Sequence, residues 1–289
     1  MLYALLTAVM WAAAVIYLKR SGESVPPFAL NVFRVALSSV VLLLTIPAAG
    51  QAVLYGAPWR DYATLFASGI IAIAISDTLF LMALNRLGAG IMAIVDCLYA
   101  PFVVFFAYLL LGERLGGWQW GGMALVIAGV LIAARHEPPA GTSRRQILVG
   151  SVLGFFSMVT VALGIVIAKP VLNRSPVLWA TTMRQIGALA VLVPVALALP
   201  ERRAIFEVFR PARNWRFTVP GTLLGSYLAL IFWIGGMKYS NAGPAAILNQ
   251  TSSIYVLIFA SIFLKEPFTA RKVAASVLAI AGIAMVTLG

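Results

Sequence analysis

Apolar residues in this chain come in long uninterrupted runs, without the alternation of a strand or the one-sided stripe of a soluble helix. Ten runs can be marked, at residues 2–18, 28–46, 63–84, 88–110, 117–134, 147–168, 177–199, 217–237, 243–264 and 272–288. Each approaches the ~20 residues that an α-helix needs to cross a bilayer. A membrane β-barrel is excluded, because its strands would alternate. The expected fold is therefore all-α and integral to the membrane, with ten transmembrane helices. Most connections are under ten residues long, which leaves no room for a soluble catalytic domain.

The runs also repeat. Moving residues 87–130 forward by 153 positions lays them without a gap on 240–283. Ala89-Gly90 then falls on Ala242-Gly243, Asp96 on Asn249, and Glu113 on Glu266. Nearer the start the offset is 150, and Lys19, Pro26 and Arg34 match Lys169, Pro176 and Arg184. A period of this size marks two copies of one domain-sized half. The halves are 1–134 and 147–289, and the linker between them, 135–146, carries Pro, Gly and charged residues. Five spans is an odd number, so the second copy must enter the membrane from the opposite side. Such inverted-topology repeats place a substrate site near the midplane in many secondary transporters.

Composition agrees. Of 289 residues 62% are hydrophobic and 10% charged, and the mean hydropathy is +0.98, well outside the range of soluble domains. The net charge of +12 is not a nucleic-acid footprint, because Lys and Arg sit in short loops beside hydrocarbon. One face, with the loops after spans one, three, five, seven and nine, holds fourteen basic residues; the face with both termini holds five. By the positive-inside rule this basic face is cytoplasmic and the termini are outside. The first run has no basic n-region and no cleavage site, so it reads as a first span and not a signal peptide. Cys97 and His136 are single copies, which rules out a disulfide framework and a Cys/His metal site. No cofactor is expected. The absence of a Walker-type phosphate loop, of His-Glu-x-x-His and of Gly-x-Ser-x-Gly argues against ATP driving and intramembrane hydrolysis.

Four ionisable residues fall inside spans: Arg34, Arg184, Asp77 and Asp96. At that depth each costs about 2.5–3.5 kcal/mol unless it finds a partner or a water-filled cavity. Counting ~1.5 Å per residue puts Arg34 and Asp77 ~9 Å and Asp96 ~12 Å from the basic face, so pairing is allowed. Arg184 comes out ~12 Å from the other face, at the depth of Asn249. Two readings stay open: a structural ion pair of Arg34 with Asp77 or Asp96, or arginines that bind a substrate carboxylate and leave the acids for its ammonium. Span four sets Asp96, Tyr99, Ala100 and Val103 on one face; span nine offers Asn249, Ser252, Ser253 and Val256, with Gln250 and Tyr255 beside them. Pro101 frees a backbone carbonyl within span four. Trp11 is too deep for an interface belt and suits a wall for an apolar side chain, whereas Tyr17, Trp118 and Trp215 read as belt anchors. Gly117/Gly121, Gly150/Gly154 and Gly221/Gly225 read as close helix contacts. Glu113 and Glu266 read as caps of the spans that follow them, paired with a nearby Arg.

Ten spans, two inverted halves, and the closing segments Leu111-Gly112-Glu113-Arg114 and Leu264-Lys265-Glu266-Pro267 resemble the drug/metabolite transporter superfamily. Within it, the chain resembles the EamA-domain exporters, most closely the YddG type, which exports aromatic and other amino acids from bacteria. The resemblance implies a cavity formed by spans one to four and six to nine, with five and ten peripheral. It also implies alternating access by rocking of the halves, and a place in the bacterial inner membrane. Many relatives are drawn with both termini in the cytoplasm, against the loop bias read here. The expected activity is export of large neutral, above all aromatic, amino acids, with Trp11, Asp77, Asp96, Tyr99, Asn249, Gln250 and Ser253 at the substrate. Arg34 and Arg184 are structural or carboxylate-binding charges. The expected partners are a small-molecule substrate and the lipid bilayer, with no nucleic acid, and a monomer suffices. The alternative cargo is a lipophilic cation or another metabolite; a lipid-modifying enzyme would need a nucleophile or metal cluster that the chain lacks.

Overall fold

The computed structural model describes residues 2–112, 116–134, 143–239, 251–267 and 269–288. Every regular element among them is helical. The elements are α1 (Leu2–Ser21), α2 (Pro27–Ala48), α3 (Trp59–Leu87), α4 (Ala89–Leu111), α5 (Gly117–Ala134) and α6 (Arg144–Arg174). They continue with α7 (Val177–Ala198), the short α8 (Arg202–Glu207), α9 (Trp215–Tyr239), α10 (Ser252–Leu264) and α11 (Ala270–Leu288). Six of these, α2, α3, α4, α6, α7 and α9, are long and apolar enough to cross a membrane, and the chain is a multi-pass membrane protein.

The helix ends follow local chemistry. Pro26 precedes α2 and Pro176 precedes α7; the fixed φ of proline preorganises a first turn. Ser143 and Gln146 form a reciprocal capping box, so α6 starts three residues before the apolar run that predicts it. It also runs on through Pro170 to Arg174. Two helices end in left-handed residues at the repeat offset, α4 at Gly112 (φ 71°) and α10 at Lys265 (φ 55°).

Two features were not visible in the apolar runs. Residues Ile70–Ile75 of α3 and Leu223–Ala229 of α9 are wound as π-helix, and their starts are separated by the repeat offset of 153. Such segments are rare and concentrate at functional sites. Asn31 serves the first of them, its Nδ2 donating to the carbonyls of Ile73 and Ala74 at 3.0 and 3.3 Å. The second feature is a break in α4 at Cys97–Leu98, where i→i−3 bonds to Ile94 and Val95 replace the helical ladder. Pro101 accounts for it, because its ring clashes with the carbonyl four residues back. α10 begins its described turns at the matching place, with Ile254 N–H bonded to Thr251 O at 3.0 Å.

The halves interlock where α3 crosses α7. Gly69 lies so close to the backbone of Arg184 that an added Cβ would sit 1.8 Å from the Arg184 carbonyl oxygen. At one face Arg174 of α6 donates through Nε to Asp61 of α3 at 3.1 Å. α5 and α11 pack on each other at the periphery. There the close approach is at Gly129 and Gly282, while Gly117 faces open space. Trp118 is exposed as an interface anchor would be, but Trp215 turns inward, its ring 5.7 Å from Phe33 and its Nε1 donating to Val208 O at 2.9 Å. Gly69→Ala is expected to cost about 1–3 kcal/mol through overpacking, read as a lowered melting temperature in detergent. Gly56→Ala, where a methyl meets open space, should stay within about 0.5 kcal/mol of the parent.

Candidate functional site

The interior holds a cavity of about 850 Å³, counted to its mouth, between α1, α2, α3 and α4 of the first half and α6, α7, α9 and α10 of the second. α5 and α11 contribute nothing to it. Eighteen of its twenty-one lining residues form nine pairs separated by the repeat offsets, among them Arg34/Arg184, Thr7/Ser157, Trp11/Val161, Asp77/Leu230, Phe80/Trp233 and Tyr99/Ser252. Matched positions of the two halves thus build one chamber. The chemistry within the pairs is unequal. The carboxylate of Asp77 is matched in the repeat by Leu230, and the indole of Trp11 by Val161.

Both arginines are buried, each at 1% exposure, and each is held by a serine of the opposite half. Arg34 donates through Nε to Ser226 Oγ at 3.0 Å, and Arg184 through Nε to Ser68 Oγ at 3.0 Å. Ser68 in turn donates to the Gly164 carbonyl at 2.7 Å. Gln185 adds a bond from Nε2 to the Ser226 carbonyl at 3.0 Å. Arg34 also meets Asp77, Nη2 to Oδ2, at a long 3.5 Å. The Arg184 guanidinium stands 5.6 Å from the centre of the Trp233 ring, within cation–π range. What remains is informative: Nη1 of both arginines and the hydroxyl of Tyr99 are buried without a hydrogen-bond partner among the described residues. Buried donors of that kind call for a ligand, ion or water. Asp96 lines the same cavity, and no described side chain bonds or pairs with it. Trp11, Phe80, Tyr99 and Trp233 supply ring surface, with Trp11 5.4 Å from Phe80 and Tyr99 6.0 Å from Trp233.

Of the residues singled out in the sequence, Trp11, Arg34, Asp77, Asp96, Tyr99 and Arg184 come together in this chamber. Ser253 does not line it; it sits behind, with Trp11 and Asp96 around a smaller space, and its Oγ lies 3.5 Å from Cys97 Sγ. Asn249, Gln250 and Glu113 lie outside the described residues. Arg34 and Arg184 line this one chamber from the two halves. The two readings of Arg34 merge: it is ion-paired through one nitrogen and open through another. Glu266 departs from expectation. It caps α4, accepting from the N–H groups of Ala89 and Gly90, and its cation is Lys272, not an arginine. Sequence reasoning missed Ser68, Ser226, Gln185, Phe80 and Trp233. The matched aromatics Phe80 and Trp233 were findable from the offset; Ser226 was not, because its direction depends on the π segment.

The model of the EamA-like transporter family matches this chain twice, over residues 1–135 and 148–288. An uncharacterized transporter of Archaeoglobus fulgidus is 22% identical over 282 residues, 97% of this chain and 96% of its own. A GDP-fucose transporter of Caenorhabditis elegans is 27% identical over 165 residues, 56% of this chain and 44% of its own. A solved crystal structure superposes with a TM-score of 0.71 over 99% of this chain and 96% of its own at 19% identity, a likeness of fold.

The Arg34–Asp77 contact is testable by a double-mutant cycle with Arg34→Gln and Asp77→Asn, read as thermal stability in detergent. A coupling of at least about 0.5 kcal/mol is expected for groups in contact. Additive effects would mean that 3.5 Å of separation leaves no working bond.

Proposed function

This chain belongs to the EamA-like transporter family, and on that premise we propose that it exports amino acids with large neutral, above all aromatic, side chains by alternating access between two inverted five-helix halves. The observation that carries this reading is the set of unsatisfied groups in the central chamber. Among the described residues two arginine Nη1 groups and the Tyr99 hydroxyl have no hydrogen-bond partner and Asp96 pairs with no cation, and four aromatic rings stand beside them. A zwitterion satisfies both signs at once. Its carboxylate accepts from Arg184 and Arg34, its ammonium donates to Asp96, and its ring lies against Trp11, Phe80 and Trp233. A charge-assisted hydrogen bond contributes about 1.5–3 kcal/mol net, so the head group supplies affinity and the rings select the side chain.

A second reading keeps transport and changes the cargo to an organic anion. The partial relative that carries the name of a GDP-fucose transporter and the two arginines favour it; the unpaired Asp96 counts against it. Lipophilic cations are disfavoured by two buried guanidinium groups. The loop charges favour a cytoplasmic basic face, and the family resemblance supports a bacterial inner-membrane location.

Counterflow in proteoliposomes tests the cargo. Vesicles preloaded with tryptophan or phenylalanine should accumulate labelled tryptophan, and vesicles preloaded with a quaternary-ammonium drug should not; exchange with the drug alone would overturn the assignment. Arg184→Gln should raise the half-saturating tryptophan concentration at least about tenfold, the loss of one charge-assisted bond. Alternating access has its own test. Ser253→Cys places a second thiol beside Cys97, the chain's single cysteine, and a disulfide there would pin α4 to α10. Oxidation should stop exchange and a reductant should restore it. Undiminished exchange in the cross-linked protein would refute rocking of the halves.

A further inference from the structure

We propose that Glu266 is the latch that holds the chamber shut toward the basic face, gripping the first half from the second, and that opening to that face requires its release. This rests on the alternating-access reading above. The Glu266 side chain leaves the second half just after α10 and crosses to the first turn of α4 in the first half. There Oε1 accepts from the Ala89 N–H at 2.7 Å and Oε2 from the Gly90 N–H at 2.9 Å. These are orphan donors at a helix start, where a carboxylate also meets the positive end of the helix dipole. The backbone is shaped for the grip. Lys265 adopts a left-handed conformation (φ 55°), and the following N–H of Glu266 bonds back to Ala260 O at 3.2 Å. On the opposing side Gly88 has φ 80°, and a Cβ on Gly90 would lie 2.9 Å from Lys272 Nζ and 3.0 Å from Glu266 Oε2.

Neighbouring contacts run along the same seam. Arg20 Nη2 at the end of α1 donates to the carbonyl of Phe263 in α10 at 2.9 Å. Lys272 Nζ stands 3.5 Å from Glu266, and Lys19, bonded to the Asn85 carbonyl at 3.0 Å, is within electrostatic reach. Two turns deeper, Cys97 of α4 touches Ser253 of α10 at 3.5 Å, between the latch and the chamber. The physical contrast with the α3–α7 crossing decides which seam moves. At α3–α7 the backbones interlock at a glycine with no room for a methyl, and separation would open a void. At the latch the bonds are polar and at the edge of the membrane, so water can replace each partner on release.

Cys97 is a built-in reporter, because it is buried in the closed seam and becomes accessible when α4 and α10 part. The experiment measures the alkylation rate of Cys97 by a membrane-impermeant maleimide in nanodiscs, with the melting temperature followed in parallel. Glu266→Gln should speed alkylation about tenfold, as expected for the loss of a charge-assisted bond. Gly90→Ala, which displaces the carboxylate without removing it, should act in the same direction, and Gly56→Ala should not. Faster alkylation at an unchanged melting temperature supports the latch. Unchanged alkylation in both variants, or acceleration only together with loss of the thermal transition, overturns it. Failure here would leave the Ser253→Cys result standing, so the latch and the transport reading fall separately.

Discussion

Two guanidinium groups buried in a membrane interior set the terms for this structure. Hydrocarbon offers Arg34 and Arg184 nothing, and the Nε of each finds its partner in the opposite half. Each therefore reaches across to a serine of the other half. The consequence is that neither half is chemically complete alone: the central chamber exists because each copy satisfies a charge that the other introduces. The π segments belong to the same solution, since Ser226 lies within one and Ser68 stands two residues before the other.

Burial on these terms leaves a surplus. A guanidinium has five N–H donors, and the cross-half serines and Asp77 use only some of them. The remainder leaves polar donors open in the chamber beside the rings of Trp11, Phe80 and Trp233. Repeat symmetry would have made the chamber alike on both sides. It is instead acidic and indole-lined at Asp77 and Trp11, and aliphatic at Leu230 and Val161. A duplicated scaffold has thus acquired a direction, which a ligand with two different ends can read.

Much of this was legible before any coordinates. Long apolar runs pointed to an all-helical membrane chain; depth singled out Arg34, Arg184, Asp77, Asp96 and Trp11, because charge and indole are costly or out of place there, and a shared helix face with Asp96 added Tyr99. What stayed hidden has a common cause. Ser226, Ser68 and Gln185 are ordinary polar residues whose importance lies in direction, and direction changes by about 100° with each residue inserted into a helix. A π segment leaves no mark in composition. Glu266 was misassigned for a related reason. Sequence proximity favours the helix that follows, whereas the left-handed turn at Lys265 sends the side chain to a different half.

The shift of offset from 150 to 153 falls between α2 and the π segment of α3. α2 and α7 match end to end at the smaller value, and the π segments match at the larger. The connection 199–214 is six residues longer than 49–58, and α9 has three fewer residues ahead of its π segment than α3, which leaves the net shift of three; the added length lies in a connection, where it is cheap. Within the helices that line the chamber, a single insertion would have swung an arginine toward lipid. Between the two halves length differs ahead of the π segments, while α2 and α7, which carry Arg34 and Arg184, keep one register from end to end.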